Sequence, residues 1–188
     1  MKKKTIAIIA VIAVVVILVI AGFSAYNDFV EDEEEINSAK SQISAQLQRR
    51  ADLIPNFVTT VSVYSDYEKS TLTAVTEARA KVGSASSVSE QANASAELDK
   101  AISVWVNAVT EAYPELKANA QYQALQDELA GTENRIATAR KDYNEEVSEF
   151  NASIRKFPAS IIAGIAGFEK YDYFEASSGS ETVPEVKF

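Results

Sequence analysis

The chain contains neither cysteine nor histidine. Disulfides, thiolate nucleophiles and lipoprotein attachment are thereby excluded, as are zinc fingers and haem or zinc ligation through imidazole. A Ser-His-Asp triad and the Glu-x-x-His pairing of di-iron bundles fall on the same ground. No cofactor is expected. A hard-cation site built from carboxylates stays open, because convergent oxygens are not visible in a sequence. Glycine and proline are scarce, six and four among 188 residues, and they cluster at boundaries. Basic residues are outnumbered 18 to 27, for a net charge of −9. Setting aside Lys2, Lys3 and Lys4 leaves 15 against 27, or −12. A domain this acidic repels phosphate backbones, which argues against nucleic acid as a partner. It is also held off an anionic lipid surface, except where apolar residues overcome the repulsion.

What is abundant is apolar sequence at the start. Lys2, Lys3 and Lys4 precede a charge-free, largely aliphatic run from Ile6 to Phe23, and Asp28, Glu31, Asp32, Glu33, Glu34 and Glu35 follow it. At ~1.5 Å per residue, eighteen helical residues cover roughly 27 Å, close to the hydrocarbon thickness of a bilayer. The run exceeds the ~7–15 residues of a signal h-region, so an uncleaved anchor is favoured over a cleaved signal. Lysines prefer the cytoplasmic side. The expectation is a single-pass protein of the cell membrane with residues 1–4 in the cytoplasm, an anchor at 5–25 and the remainder outside.

The rest reads as all-α, with seven-residue apolar spacing and little strand-type alternation. A first helix continues from the anchor to about Asp52 through Phe29, Ile36, Ile43 and Leu47. Pro55 suits the first turn of a second helix, carrying Ile54, Val61, Val75 and Val82 to a loop at Gly83–Ser87. A third runs from about Ser89 to Ala112 with Leu98, Ile102, Trp105 and Val109, and Tyr113-Pro114 ends it. The fourth runs from about Asn119 to Phe157, with Leu129, Ile136, Tyr143, Phe150 and Phe157 seven apart. These spacings predict an antiparallel up-down-up-down four-helix bundle over 26–157 with coiled-coil-like packing. The fourth helix then ends near the bilayer. The segment 158–176 follows, eleven uncharged residues from Pro158 to Phe168 and then Tyr171, Tyr173 and Phe174. It is too short to span, so Ile161, Ile162, Ile165, Phe168, Tyr171 and Phe174 either sit in the membrane interface or cap the bundle's membrane-side end. The tail, 177–188, is polar and reads as disordered.

Polar residues stand where the seam asks for apolar ones. Glu68 lies in core phase between Val61 and Val75, and Glu133 and Arg140 lie four residues after Leu129 and Ile136. A buried ionic layer fixing helix register is the leading account. Snorkelling to the surface is the second, and a carboxylate metal or acid–base site using Glu68 and Glu133 is last. At the far end, Arg50, Asp52, Asn56, Glu115 and Asn119 occupy two turns, as helix caps or as a partner-binding tip.

Several segments resemble the LemA family. They are Gln48–Asn56 (QRRADLIPN), Tyr67-Glu68, Tyr113–Asn119 (YPELKAN), Leu125–Leu129 (LQDEL), Thr132–Ile136 (TENRI), Ala139-Arg140, Tyr143-Asn144, Phe150-Asn151 and Phe157-Pro158. The resemblance covers about residues 24–175 in order, and the tail is shorter than in many relatives. It implies a bacterial membrane-anchored helical bundle with no defined activity or catalytic residues. It also implies a possible tie to a membrane metalloprotease, near which some members are encoded, and a magnetosome-membrane protein among the relatives. The functional expectation is a non-enzymatic membrane-anchored adaptor or scaffold that binds lipid through its anchor and an unidentified protein partner. The alternative is an accessory or regulatory subunit of a membrane protease or other envelope enzyme.

Overall fold

The computed structural model describes residues 2–62 and 69–175. Helix α1 is Lys2–Ser62, α2 Lys69–Ser84, α3 Val88–Ala112, α4 Ala120–Ser153 and α5 Ala159–Ala166, with a 3-10 turn at Pro114–Ala118. There is no strand among the described residues. Among the described residues one helix is long and apolar enough to cross a membrane, by length and composition, and its apolar run from Ile6 to Phe23 is solvent-exposed nearly throughout. The chain divides into two compact units, Met1–Ser38 with Asn144–Asp172, and Ala39–Tyr143 with the chain from Tyr173 onward.

Helix α1 does not stop at Asp52. It carries Pro55 in its interior and continues to Ser62. An interior proline removes the amide that would bond the carbonyl four residues back, and normally costs about 3 kcal/mol. That carbonyl belongs to Ala51, and Arg79 of α2 supplies the replacement, its Nε–H donating to Ala51 O at 2.9 Å. Thr59 Oγ1 donates to Pro55 O at 2.8 Å one turn on. The apolar row thus proceeds unbroken through Ile54, Phe57 and Val61, all buried. The passage from α1 to α2 falls at 63–68, outside the described residues, and Glu68 lies there too.

In the second unit, side-chain pairs fix the helix directions. Ser44 meets Gln91 at 3.2 Å, Arg50 meets Asp99 at 2.7 Å, and the Phe57 and Trp105 ring centroids are 5.1 Å apart. Residue numbers rise together, so α1 and α3 run the same way. Arg49 pairs with Glu128 and Phe57 with Tyr122, so α4 opposes α1. Thr110 with Tyr122 and Ser95 with Arg140 show that α4 opposes α3 as well. Helix α2 packs on α3 across the short 85–87 connection, and Lys81 pairs with Glu97. Ser87 caps α3: Glu90 N–H donates to Ser87 Oγ at 3.1 Å, and the Ser86 and Ser87 amides donate back to Glu90 Oε2 at 2.9 and 3.1 Å. These bonds hold the Glu90 carboxyl down to about 2, first through the Ser86 amide and then the Ser87 amide.

In the first unit, Phe29 and Ile36 of α1 and Val147, Phe150 and Ile154 at the end of α4 are buried. Helix α4 closes at Ser153 through short-range bonds, Arg155 N–H to Ala152 O and Lys156 N–H to Ser153 O. Phe157 therefore does not extend the α4 row; it precedes Pro158, which disfavours helical backbone, and is 83% exposed. Helix α5 ends at Gly167, whose left-handed φ of +81° favours glycine, and the Gly167 and Phe168 amides both return to Ala163 O.

Two measurements test this account. Arg79→Met should destabilise the chain by about 1–3 kcal/mol, the scale of an orphaned buried carbonyl. The loss should shrink in a Pro55→Ala background, where the helix supplies its own amide to Ala51; denaturation of the four proteins in detergent closes the cycle. Glu90 has a depressed folded pKa, so its contribution is complete above the unfolded value of 4.5 and is lost as the pH falls toward about 2. Glu90→Gln should therefore melt lower than the parent at neutral pH, and thermal melts should show the gap closing near pH 2.

Candidate functional site

The concentrated polar chemistry of the second unit is a cluster of charges in its core. Arg50 lies seven residues after Ile43 and seven before Phe57, on α1's buried row, and its side chain is only 5% exposed. Nη1 stands 2.7 Å from Asp99 Oδ1 on α3, and Nη2 stands 3.8 Å from Glu133 Oε2 on α4. The Asp99 contact is close but poorly aligned for a hydrogen bond, so its attraction is mainly coulombic. Arg140 of α4 enters from the same side: its Nη2 donates to buried Ser95 Oγ at 2.7 Å, and its Cζ lies 4.7 Å from the Phe174 ring centroid. Gln91 Nε2 donates to Ser44 Oγ at 3.2 Å beside this layer.

Burial dominates the electrostatics. It pushes the Asp99 carboxyl up, against the pull of Arg50 and Arg140, and it lowers Arg140, against the support of Asp99. Two guanidiniums face two carboxylates, so the cluster is balanced and exerts little net field on a free ion. Beside it opens a groove of about 320 Å³ between α3 and α4, edged by Ser103, Asn107, Gln126 and Glu133. Among the described residues, no group of three or more acidic side chains is placed to hold a metal ion.

The sequence-predicted residues are redistributed by this geometry. Glu133 is 66% exposed, because the inner positions on this part of α4 come three residues after the heptad row, at Thr132 and Ala139, and not four. The four-residue step appears only beyond Tyr143, at Val147 and Ile154. Arg140 is half-buried beside the core. Glu68 lies outside the described residues. Of the tip set, Arg50, Asp52 and Asn56 lie inside α1 and cap nothing, since the helix runs on past Pro55. Asp52 accepts from Gln48 Nε2 at 2.8 Å and lies 3.8 Å from Arg79. Glu115 is exposed on the 3-10 turn, and Asn119 does cap α4, its Oδ1 accepting from Tyr122 N–H at 3.0 Å. Extending the row Ile36–Ile43 by one heptad reaches Arg50; that was the signal, and Pro55 hid it.

The membrane-interface set also divides. Ile161 and Ile165 are exposed, while Ile162 packs where α5 meets Gly22 of α1. Phe168 stacks with Tyr26, Phe29 and Phe150 at 5.7, 5.3 and 6.2 Å, and Tyr171 stacks on Phe150 at 5.4 Å. Asn151 fixes that turn: its Oδ1 accepts from Tyr171 N–H at 3.0 Å and its Nδ2 donates to Tyr171 O at 2.9 Å. Tyr171 Oη donates to Glu33 Oε1 at 2.6 Å. Phe174 is not an interfacial residue; it is buried beneath the Arg140 guanidinium, which offers an aromatic face a cation.

An all-helical chain with a membrane-length apolar helix and an internally balanced polar core is thus defined. The LemA family model matches residues 39–188, and the chain belongs to the LemA family. It is similar to magnetosome protein MamQ 1 of Paramagnetospirillum magneticum, at 27% identity over 84% of this chain and 67% of the relative. It is similar to MamQ of Magnetospirillum gryphiswaldense at 24% identity with the same coverage. Protein LemA of Metamycoplasma hominis is 27% identical over 80% of this chain and 69% of its own.

The cluster makes a contrasting prediction. Asp99→Ala leaves Arg50 buried with no close counter-charge and should cost about 3–5 kcal/mol. Glu133→Ala removes a longer, solvent-screened contact and should cost less than about 1 kcal/mol. Urea titrations of the two variants check the ratio.

Proposed function

We propose that this chain is a non-enzymatic adaptor or scaffold anchored in a bacterial cell membrane. In this reading residues 5–25 span the bilayer, Lys2–Lys4 remain cytoplasmic, and α1–α4 form an up-down-up-down bundle outside. The pairing directions in the second unit support the bundle, and the lysines before the apolar run support the orientation. The observation that carries the non-enzymatic role is the polar core. Its guanidiniums are engaged by carboxylates, a serine hydroxyl and an aromatic face, an arrangement suited to fixing helix register. Family membership and relatives named for the magnetosome support a role as a component of a larger assembly. The partner is a protein, met by the polar groove around Asn107 and by the exposed turn at Glu115.

Photoreactive residues placed at Asn107 and Glu115 in the full-length chain should capture a discrete protein in intact cells, and one at the opposite, α2-side residue Glu77 should not. A phosphatase reporter fused after Phe188 should be active outside. Absence of any protein adduct at both positions overturns the partner face, and a reporter active only in the cytoplasm overturns the orientation. Capture of a membrane protease whose turnover changes on loss of the chain selects the accessory-subunit reading.

A further inference from the structure

Two adjoining depressions in the first unit differ sharply in chemistry. One, about 630 Å³, lies between the end of the apolar run and α5 and is walled by Leu18, Gly22, Phe23, Ile162 and Ile165. The other, about 530 Å³, is walled by Glu33, Gly167, Glu169, Lys170 and Tyr171. Tyr26 and Ala166 line both, so the two adjoin. Each volume falls in the ~300–1,000 Å³ range of small-molecule sites.

Gly22 permits a close approach at the apolar depression. A Cβ there would stand 3.3 Å from Ile162 Cδ1, so glycine lets α5 close against α1 and form the second wall. Ile165 is 80% exposed on that wall, an arrangement suited to hydrocarbon and costly in water. Sequence position fixes the depth. The charge-free run ends after Phe23, Tyr26 is an amphipathic ring of the kind found at bilayer boundaries, and carboxylates begin at Asp28. The apolar depression therefore faces the last turns of the hydrocarbon, and the polar one lies at headgroup level. Gly167, with its positive φ, turns the chain so that Glu169 and Lys170 follow α5 directly. Among the described residues no ion pair engages Lys170, while Glu33 is oriented by the Tyr171 hydroxyl through Oε1.

One ammonium beside two carboxylates complements a headgroup that carries a phosphate and a primary ammonium. A net-anionic headgroup meets the carboxylates without compensation, and a quaternary ammonium donates no hydrogen bond to them. We propose that the first unit binds one phospholipid of the phosphatidylethanolamine type, its acyl chain in the groove between α1 and α5, its phosphate at Lys170 and its ammonium at Glu33 and Glu169. The inference rests on the membrane-anchored reading and deepens it from generic anchoring to recognition of one lipid class.

The test uses the full-length chain in nanodiscs made from an equimolar mixture of phosphatidylethanolamine, phosphatidylcholine and phosphatidylglycerol. Native mass spectrometry after gentle release should show phosphatidylethanolamine retained well above the other two. Lys170→Ala should lower that retention roughly tenfold, the scale of one charge-assisted hydrogen bond. Ala166→Trp should fill the junction and abolish retention with the helical circular dichroism unchanged. Equal retention of all three lipids, or retention unaffected by both variants, overturns the proposal. So does a photoreactive residue at Ile165 that captures another polypeptide's helix in place of lipid. Failure of the chain to enter nanodiscs at all would instead defeat the membrane-anchored reading, so the two failures are distinguishable.

Discussion

The structure depends on a single carbonyl. Ala51 O loses its helical donor to Pro55, and the guanidinium of Arg79 restores it from α2. Without a donor from another helix, an interior proline would end or kink α1, and the row Ile36–Ile43–Arg50–Phe57 would break after its third member. With it, α1 remains one helix long enough to place Arg50 opposite Asp99 and Phe57 against both Trp105 and Tyr122. A local defect is repaired by a tertiary bond, and that bond ties α2 to the segment of α1 it must pack beside.

The buried charge follows from that continuity. Arg50 occupies a position that would take an aliphatic side chain at an additive gain in burial, and instead it imposes geometry. Only one sliding register of α1, α3 and α4 sets its fork between Asp99 and Glu133 while Arg140 reaches Ser95. Apolar heptads tolerate a shift of one heptad far better than a buried guanidinium does. The cluster thus supplies specificity where the surrounding leucines, isoleucines and valines supply most of the driving force.

Much of this was legible in the residues. The apolar run, the all-helical class, the limits of α3 and the Asn119 cap follow from spacing and from local capping chemistry that needs no tertiary partner. Three features were not legible, each because a distant group decides it. Pro55 reads as a helix start until Arg79, twenty-four positions later in sequence, is known to reach Ala51. The inner positions of α4 step by three before Tyr143 and by four after it, so a rigid heptad assigned Glu133 to the core and overlooked Thr132. Phe174 reads as interfacial by composition, yet the cation above it comes from a helix that ended some twenty residues earlier. The candidate site was half visible: Arg140 was singled out for its phase, whereas Arg50 was assigned to a turn that does not exist.

The first unit shows how the acidic character of the chain is managed near its apolar helix. Glu146 is held above the usual carboxylate range, by partial burial first and then by Glu35, Glu149 and Asp32 around it. Like charges crowd one flank of α1, and crowding of that kind favours any arrangement that draws a carboxylate elsewhere. Tyr171 does so for Glu33 by donating its hydroxyl, and Asn151 holds Tyr171 in place through both of its backbone groups. Asn151 thus fastens the returning chain beside the acidic run, and Lys170 comes to line the same depression as Glu33. A surface of this charge repels anionic lipid by default, which is why the lipid proposed above carries an ammonium as well as a phosphate.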